Sequence, residues 1–108
     1  MNKELANSLI RRNGNVFGNI KNGFQCGNGW YDLISELAEE LNKFKVRVSS
    51  LRQRDRKMYV TLYPQKIDKF EIVMKTIETY ENRSINICEE CGGAVEKMNL
   101  CLNCFEKE

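Results

Sequence analysis

Apolar residues recur along this chain with two different periods. Trp30, Leu33, Ile34, Leu37, Ala38 and Leu41 fall at i, i+3, i+4, i+7, i+8 and i+11, the buried stripe of an amphipathic helix. Asp32, Glu36, Glu39 and Glu40 fill the other face. Asp32, in the first turn, suits the positive end of the helix dipole, and Asn28 or Gly29 is the expected cap. A shorter helix is predicted over residues 2–12, with Leu5, Leu9 and Ile10 at helical spacing. Another carries Ile67, Phe70, Met74, Ile77 and Tyr80, with Pro64 in its first turn and its end near Asn82. Between these helices the period drops to two. Phe44, Val46 and Val48 alternate with Lys45 and Arg47, and the β-formers Tyr59, Val60, Thr61, Leu62 and Tyr63 follow, which predicts a hairpin whose tip lies within Ser49–Arg56.

Neither period runs through Asn13–Gly29. Gly14, Gly18, Gly23, Gly27 and Gly29 alternate there with asparagines, the composition of a loop with several turns. Phe17, Ile20 and Phe24 are its expected anchors in the core.

With 108 residues, 42% of them hydrophobic, 30% charged and a single proline, the chain is sized and composed as one folded domain. Its apolar runs are too short to span a membrane, and its first residues lack the pattern of a secretory signal. The expected compartment is therefore the reducing cytoplasm, where paired cysteines read as metal ligands before they read as disulfides. The net charge of +2 is unevenly spread: residues 1–42 sum to −1, residues 43–57 to +6 and residues 58–108 to −3.

The chemistry legible in the chain is concentrated near its end. Cys88 and Cys91, then Cys101 and Cys104, form two Cys-x2-Cys pairs separated by nine residues. Such a pair turns both thiolates toward one point, Gly92 and Gly93 give the first turn its freedom, and the spacer is long enough to return the second pair. Four thiolates at about 2.3 Å complete a tetrahedral zinc site and leave no position for water, so the ion is expected to be structural. The chain has no histidine, so the ligands are cysteines alone. Iron accepts the same four ligands; zinc is the expected metal. Two disulfides and a redox dithiol are the weaker readings. Binding of order 10 kcal/mol would hold a short zinc ribbon with little apolar core of its own.

Lys43, Lys45, Arg47, Arg52, Arg54, Arg56 and Lys57 crowd the predicted hairpin against Asp55 alone. This block reads as a solvated tip, as a surface for nucleic-acid phosphates, or as a dock for an acidic protein. Tyr59 and Tyr63 follow on the next strand, placed either to stack on bases or to pack. In Cys26-Gly27-Asn28-Gly29-Trp30-Tyr31, the glycines and an exposed Tyr31 offer a second binding surface; the alternative is a glycine turn feeding a helix. Cys26, a fifth cysteine, reads as a small apolar residue, since no histidine exists to activate it as a nucleophile. No phosphate-cradling glycine motif is present, and the carboxylates fall on helix faces where they are expected anyway, so no enzymatic activity is expected.

The order Phe24-x-Cys26-Gly27-Asn28-Gly29-Trp30-Tyr31-Asp32-Leu33-Ile34, a basic strand pair, a helix, Ser84, Cys88-x2-Cys91-Gly92 and a terminal Cys-x2-Cys resembles a family of small uncharacterised zinc-binding proteins of bacteriophages and prophages. The resemblance covers about residues 24–104. Relatives carry a Lys-Phe-Gly-Gly-Leu-Arg-like stretch between the strands, of which Val48-Ser49-Ser50-Leu51-Arg52 keeps only Leu-Arg. The resemblance implies a phage setting, in the cytoplasm of an infected or lysogenic bacterium. It further implies a small protein that grips a host or defence complex, as an inhibitor of the anti-CRISPR kind.

The expectation is thus an α+β fold. Two N-terminal helices, an antiparallel hairpin and a third helix form a body over residues 1–84, and a zinc ribbon over 85–108 packs on it. The expected function is non-enzymatic binding of a host or defence protein, with nucleic-acid binding by the hairpin as the alternative. Lys45, Arg47, Arg52, Arg54, Arg56, Lys57 and Tyr31 are the candidate contacts.

Overall fold

Helix α1 (Lys3–Arg12) starts where the Asn2 side-chain oxygen accepts from the Glu4 amide at 2.7 Å, and it buries Leu9. A computed structural model describes residues 1–18, 20, 23–54 and 57–87 of the chain. Among them the fold is α+β, with helices packed against a three-stranded sheet.

The segment predicted as loop holds two short elements. Helix α2 (Gly14–Phe17) buries Val16 and Phe17, and strand β1 (Phe24–Gln25) pairs parallel with the hairpin, Phe24 opposite Leu51 and Gln25 opposite Arg52. Phe17 meets Phe24 edge to face at 5.0 Å, so two of the three expected anchors hold each other as well as the core, and Ile20 packs against it. Gly23, at φ 63°, supplies the left-handed turn into β1.

A single 3-10 turn, Asn28–Trp30, leads into helix α3 (Tyr31–Lys43), which buries Leu33, Ile34, Leu37, Ala38 and Leu41. The stripe is the predicted one. The cap is not: α3 has no side-chain cap, and the Asn28 oxygen instead accepts the Asn2 amide at 2.6 Å, tying the turn to α1.

Past α3 the chain departs from the predicted strand. Phe44 and Val46 alternate in sequence, yet they belong to the helix stop. Val46 N–H returns to Leu41 O and Lys45 N–H to Asn42 O, both at 3.1 Å, with Lys45 left-handed at φ 55° and Leu41 and Val46 both buried. This is a Schellman stop with lysine where glycine is usual. A left-handed lysine pays a steric penalty that glycine avoids. Lys45→Gly is therefore expected to raise stability by about 1 kcal/mol, read as a higher urea midpoint at unchanged slope.

Strand β2 (Val48–Arg54) and strand β3 (Lys57–Leu62) pair antiparallel through residues placed in the predicted tip, as far as Arg54 opposite Lys57. Helix α4 (Phe70–Ser84) packs on both α3 and β3. It starts later than predicted, with Pro64 outside it, and its inward stripe is Val73, Ile77 and Ser84 with half-buried Tyr80. Phe70 and Met74, expected in that stripe, are 56% and 39% exposed.

In the strand order β1-β2-β3, β3 is an outer strand, and α4 closes it chemically. The Met58 amide donates to Ser84 Oγ at 2.8 Å and the Val60 amide to Glu81 Oε2 at 2.9 Å. Two outward N–H groups that would otherwise recruit a foreign strand are thereby occupied. Trp30, Phe17, Leu37, Leu41, Leu51, Met58 and Ile77 fill the core beneath the sheet. No helix among the described residues is long and apolar enough to cross a membrane.

Candidate functional site

A one-residue irregularity decides what the hairpin presents. From Arg54 back to Ser50, β2 pairs with β3 in one register: Arg54 with Lys57, Arg52 with Tyr59, Ser50 with Thr61. The next pair is Val48 with Leu62, so Ser49 is an extra residue, a β-bulge. Strand side chains alternate between faces, and an inserted residue reverses that alternation. Val48 and Leu51, an odd number of positions apart, are consequently both buried. Arg47 is exposed, and its carbonyl accepts the Tyr63 amide at 3.0 Å.

The face turned away from the core therefore carries two like pairs. Arg52 lies across from Tyr59, and Arg47 across from Tyr63, with Ser50 and Thr61 between them and Gln25 of β1 beside Arg52. Arg47, Arg52 and Arg54 are exposed, and Tyr59 and Tyr63 remain 36% and 40% exposed. Lys57 is half-buried, with its ammonium 5.5 Å from the centre of the Tyr59 ring. No described residue of the three strands is acidic; the described carboxylates belong to α1, α3, α4 and Asp68. Beyond Arg47, exposed Lys45 continues the strip, and a shallow depression of about 440 Å³ opens among Asn15, Asn42, Lys45 and Arg47.

The hairpin thus brings Arg47, Arg52, Arg54 and Lys57 onto one surface with Tyr59 and Tyr63. Sequence reasoning named these residues but not their shared face, because the bulge that unites them has no signature in the alternation around it. Arg56 lies outside the described residues.

Tyr31 sits elsewhere. It is half-buried, and its hydroxyl shares a hydrogen bond with Ser8 Oγ at 3.0 Å, joining α3 to α1. It also borders a cleft of about 230 Å³ with Asn28, Gly29, Asp32, Leu33, Glu36, Arg83 and Ile87. Across that cleft Arg83 pairs with Glu36 at 3.1 Å and lies 5.1 Å from the centre of the Tyr80 ring. Burial, reinforced by Glu36 and Glu40, pushes the Tyr80 phenol above its usual range despite Arg83, so it is neutral at ordinary pH. Cys26 is half-buried against the core.

The four cysteines proposed as metal ligands, Cys88, Cys91, Cys101 and Cys104, lie outside the described residues, as does nearly all of the expected ribbon. Among the described residues no group of three or more acidic or cysteine side chains is placed to hold a metal. The approach to the first ligand is described. Trp30 Nε1 donates to the carbonyl of Ile87 at 3.0 Å, one residue before Cys88. The buried tryptophan of the glycine tract therefore holds Ile87, the last of the described residues. Comparison of the chain with known families, characterised proteins and solved structures found no match.

Proposed function

We propose that this chain is a non-enzymatic binding protein that holds nucleic acid on the open face of its sheet, with one structural zinc ion bound by Cys88, Cys91, Cys101 and Cys104. The observation that carries the reading is the register. Two arginine–tyrosine pairs share one exposed face that has no described carboxylate. Cations neutralise phosphates and release their counterions, while exposed rings give bases a surface to stack on. A merely solvated hairpin has no need of two exposed tyrosines aligned with arginines.

The test is fluorescence anisotropy with a labelled oligonucleotide over a salt series. With Arg47, Arg52 and Lys57 on phosphates, log affinity falls against log salt with a slope of about −2 to −3. The triple variant R47E/R52E/K57E is expected to lose at least about a hundredfold at low salt. Unchanged affinity in that variant, or no binding by the parent protein at low salt, would overturn the reading.

The zinc proposal rests on the donor set: two Cys-x2-Cys pairs in a chain without histidine. Purified, reductant-treated protein is expected to carry one zinc per chain, and chelation should expose four further thiols to a thiol reagent. A metal-free protein with all five cysteines reactive would exclude the site.

A separate observation favours a protein partner of the phage-type kind, a host or defence complex met in the bacterial cytoplasm. Phe70 and Met74, one turn apart at the start of α4, are 56% and 39% exposed, an apolar pair of the sort protein interfaces cover. Pull-down from host lysate would then recover one stoichiometric species that survives nuclease treatment and is lost in F70D/M74D.

A further inference from the structure

We infer that the ligand of the sheet face is a single strand, its bases stacked on Tyr59 and Tyr63 and its phosphates held by the arginine opposite each ring. This rests on the nucleic-acid reading above and specifies it.

Tyr59 in β3 and Tyr63, one residue past its end, lie on the same face, four residues and about 13 Å apart along the chain. Between them stand the small side chains of Thr61 and Ser50, and the Lys57 ammonium, 5.5 Å from the centre of the Tyr59 ring, adds a further cation beside that plane. Each ring has a guanidinium across the ladder, Arg52 beside Tyr59 and Arg47 beside Tyr63. A cation next to an aromatic plane matches a nucleotide, which joins a charged phosphate to a flat base. Here the pairing occurs twice with one polarity, and the bulge at Ser49 is what brings the second arginine to the face.

A duplex cannot use the rings. Its bases are stacked on each other, only their edges reach the grooves, and it would engage the cations alone. An acidic protein surface would likewise satisfy the arginines and leave the rings idle. Exposed tyrosines that join the binding require unpaired bases, and stacking on them is tolerant of sequence because every base has a flat face.

The test compares a labelled twelve-nucleotide oligo-dT, the same strand in duplex form, and poly-glutamate of matched charge, all on the full-length zinc-loaded protein. The single strand is expected to bind at least about tenfold tighter than the duplex or the polypeptide. Tyr59→Leu and Tyr63→Leu are each expected to weaken single-strand binding about five- to hundredfold, while Tyr59→Trp and Tyr63→Trp retain it. The salt slope should not change in either leucine variant, because no phosphate contact is removed. Both rings are exposed, and far-UV circular dichroism confirms that the variants stay folded. Duplex binding equal to or tighter than the single strand, or leucine variants that bind as the parent does, would overturn the inference while R47E/R52E/K57E still reports on the broader reading. Poly-glutamate binding as tightly as the oligonucleotide, or no nucleic acid bound at all, would overturn both.

Discussion

Trp30→Ala should cost this protein about 3–5 kcal/mol, the range for deleting a large buried aromatic side chain. Trp30 is fully buried, and its indole N–H donates to Ile87 O at 3.0 Å, bridging 57 positions of chain. Two losses coincide in the alanine variant. A cavity opens where α3 begins, and the carbonyl that precedes the cysteine segment loses its donor. For a domain of this size the melting temperature should fall on the order of 15–30 °C. Trp30→Phe separates the two, since it keeps most of the ring volume but has no N–H. It should recover most of the stability, while hydrogen exchange at the end of α4 and at Asn86–Ile87 accelerates in both variants. A Trp30→Ala protein that melts within a few degrees of the parent would remove the indole from the core as described.

Ser84→Val should be the second most damaging of the changes considered, at about 1–3 kcal/mol, because it removes a buried hydroxyl and adds a methyl group at a fully buried position. Ser84 is fully buried; its hydroxyl accepts the Met58 amide at 2.8 Å and donates to Glu81 O. Valine must find room for the extra methyl and leaves a buried amide without an acceptor, which alone costs more than an ordinary hydrogen bond contributes. Combining it with Glu81→Leu strips the Val60 amide as well, so two adjacent outward donors of β3 lose their partners. The double variant is expected to be less stable than either single one and to associate with rising concentration, as an uncovered sheet edge does. Urea unfolding and light scattering report the two effects. A Ser84→Val midpoint matching the parent would show that the hydroxyl closes nothing of consequence.

How far the sequence foretold this depends on the kind of force involved. The stripe of α3 was legible residue by residue, because thirteen positions sample the helical period several times. β1 was not, because a strand of two residues has no period to detect, and its pairing with Leu51 and Arg52 is set by tertiary contact. The alternation at Phe44–Val48 pointed to a strand, but a hydrogen-bonded helix stop claimed Lys45 and Val46 first. In α4 the two candidate stripes differ by a modest rotation. Val73, Ile77 and Ser84 prevailed because Ser84 and Glu81 have amides of β3 to satisfy. Serine on the buried face of a helix was the available signal. Of the candidate site, the cations and tyrosines were visible as residues, but their common face depended on a bulge that composition does not mark.

That bulge bears on how other sequences should be compared with this one. The two halves of β2 keep opposite phase, so Arg47 and Arg52, an odd number of positions apart, share a face only because Ser49 is bulged out of the ladder. A sequence that preserved every arginine and tyrosine but lacked one position near Ser49 would pair in regular alternation, without a bulge, and would still turn Arg47 outward and Val48 inward. A gap at this point in an alignment would therefore mark a regular ladder that keeps the surface, whereas an unbulged strand with all of these residues would turn Arg47 inward.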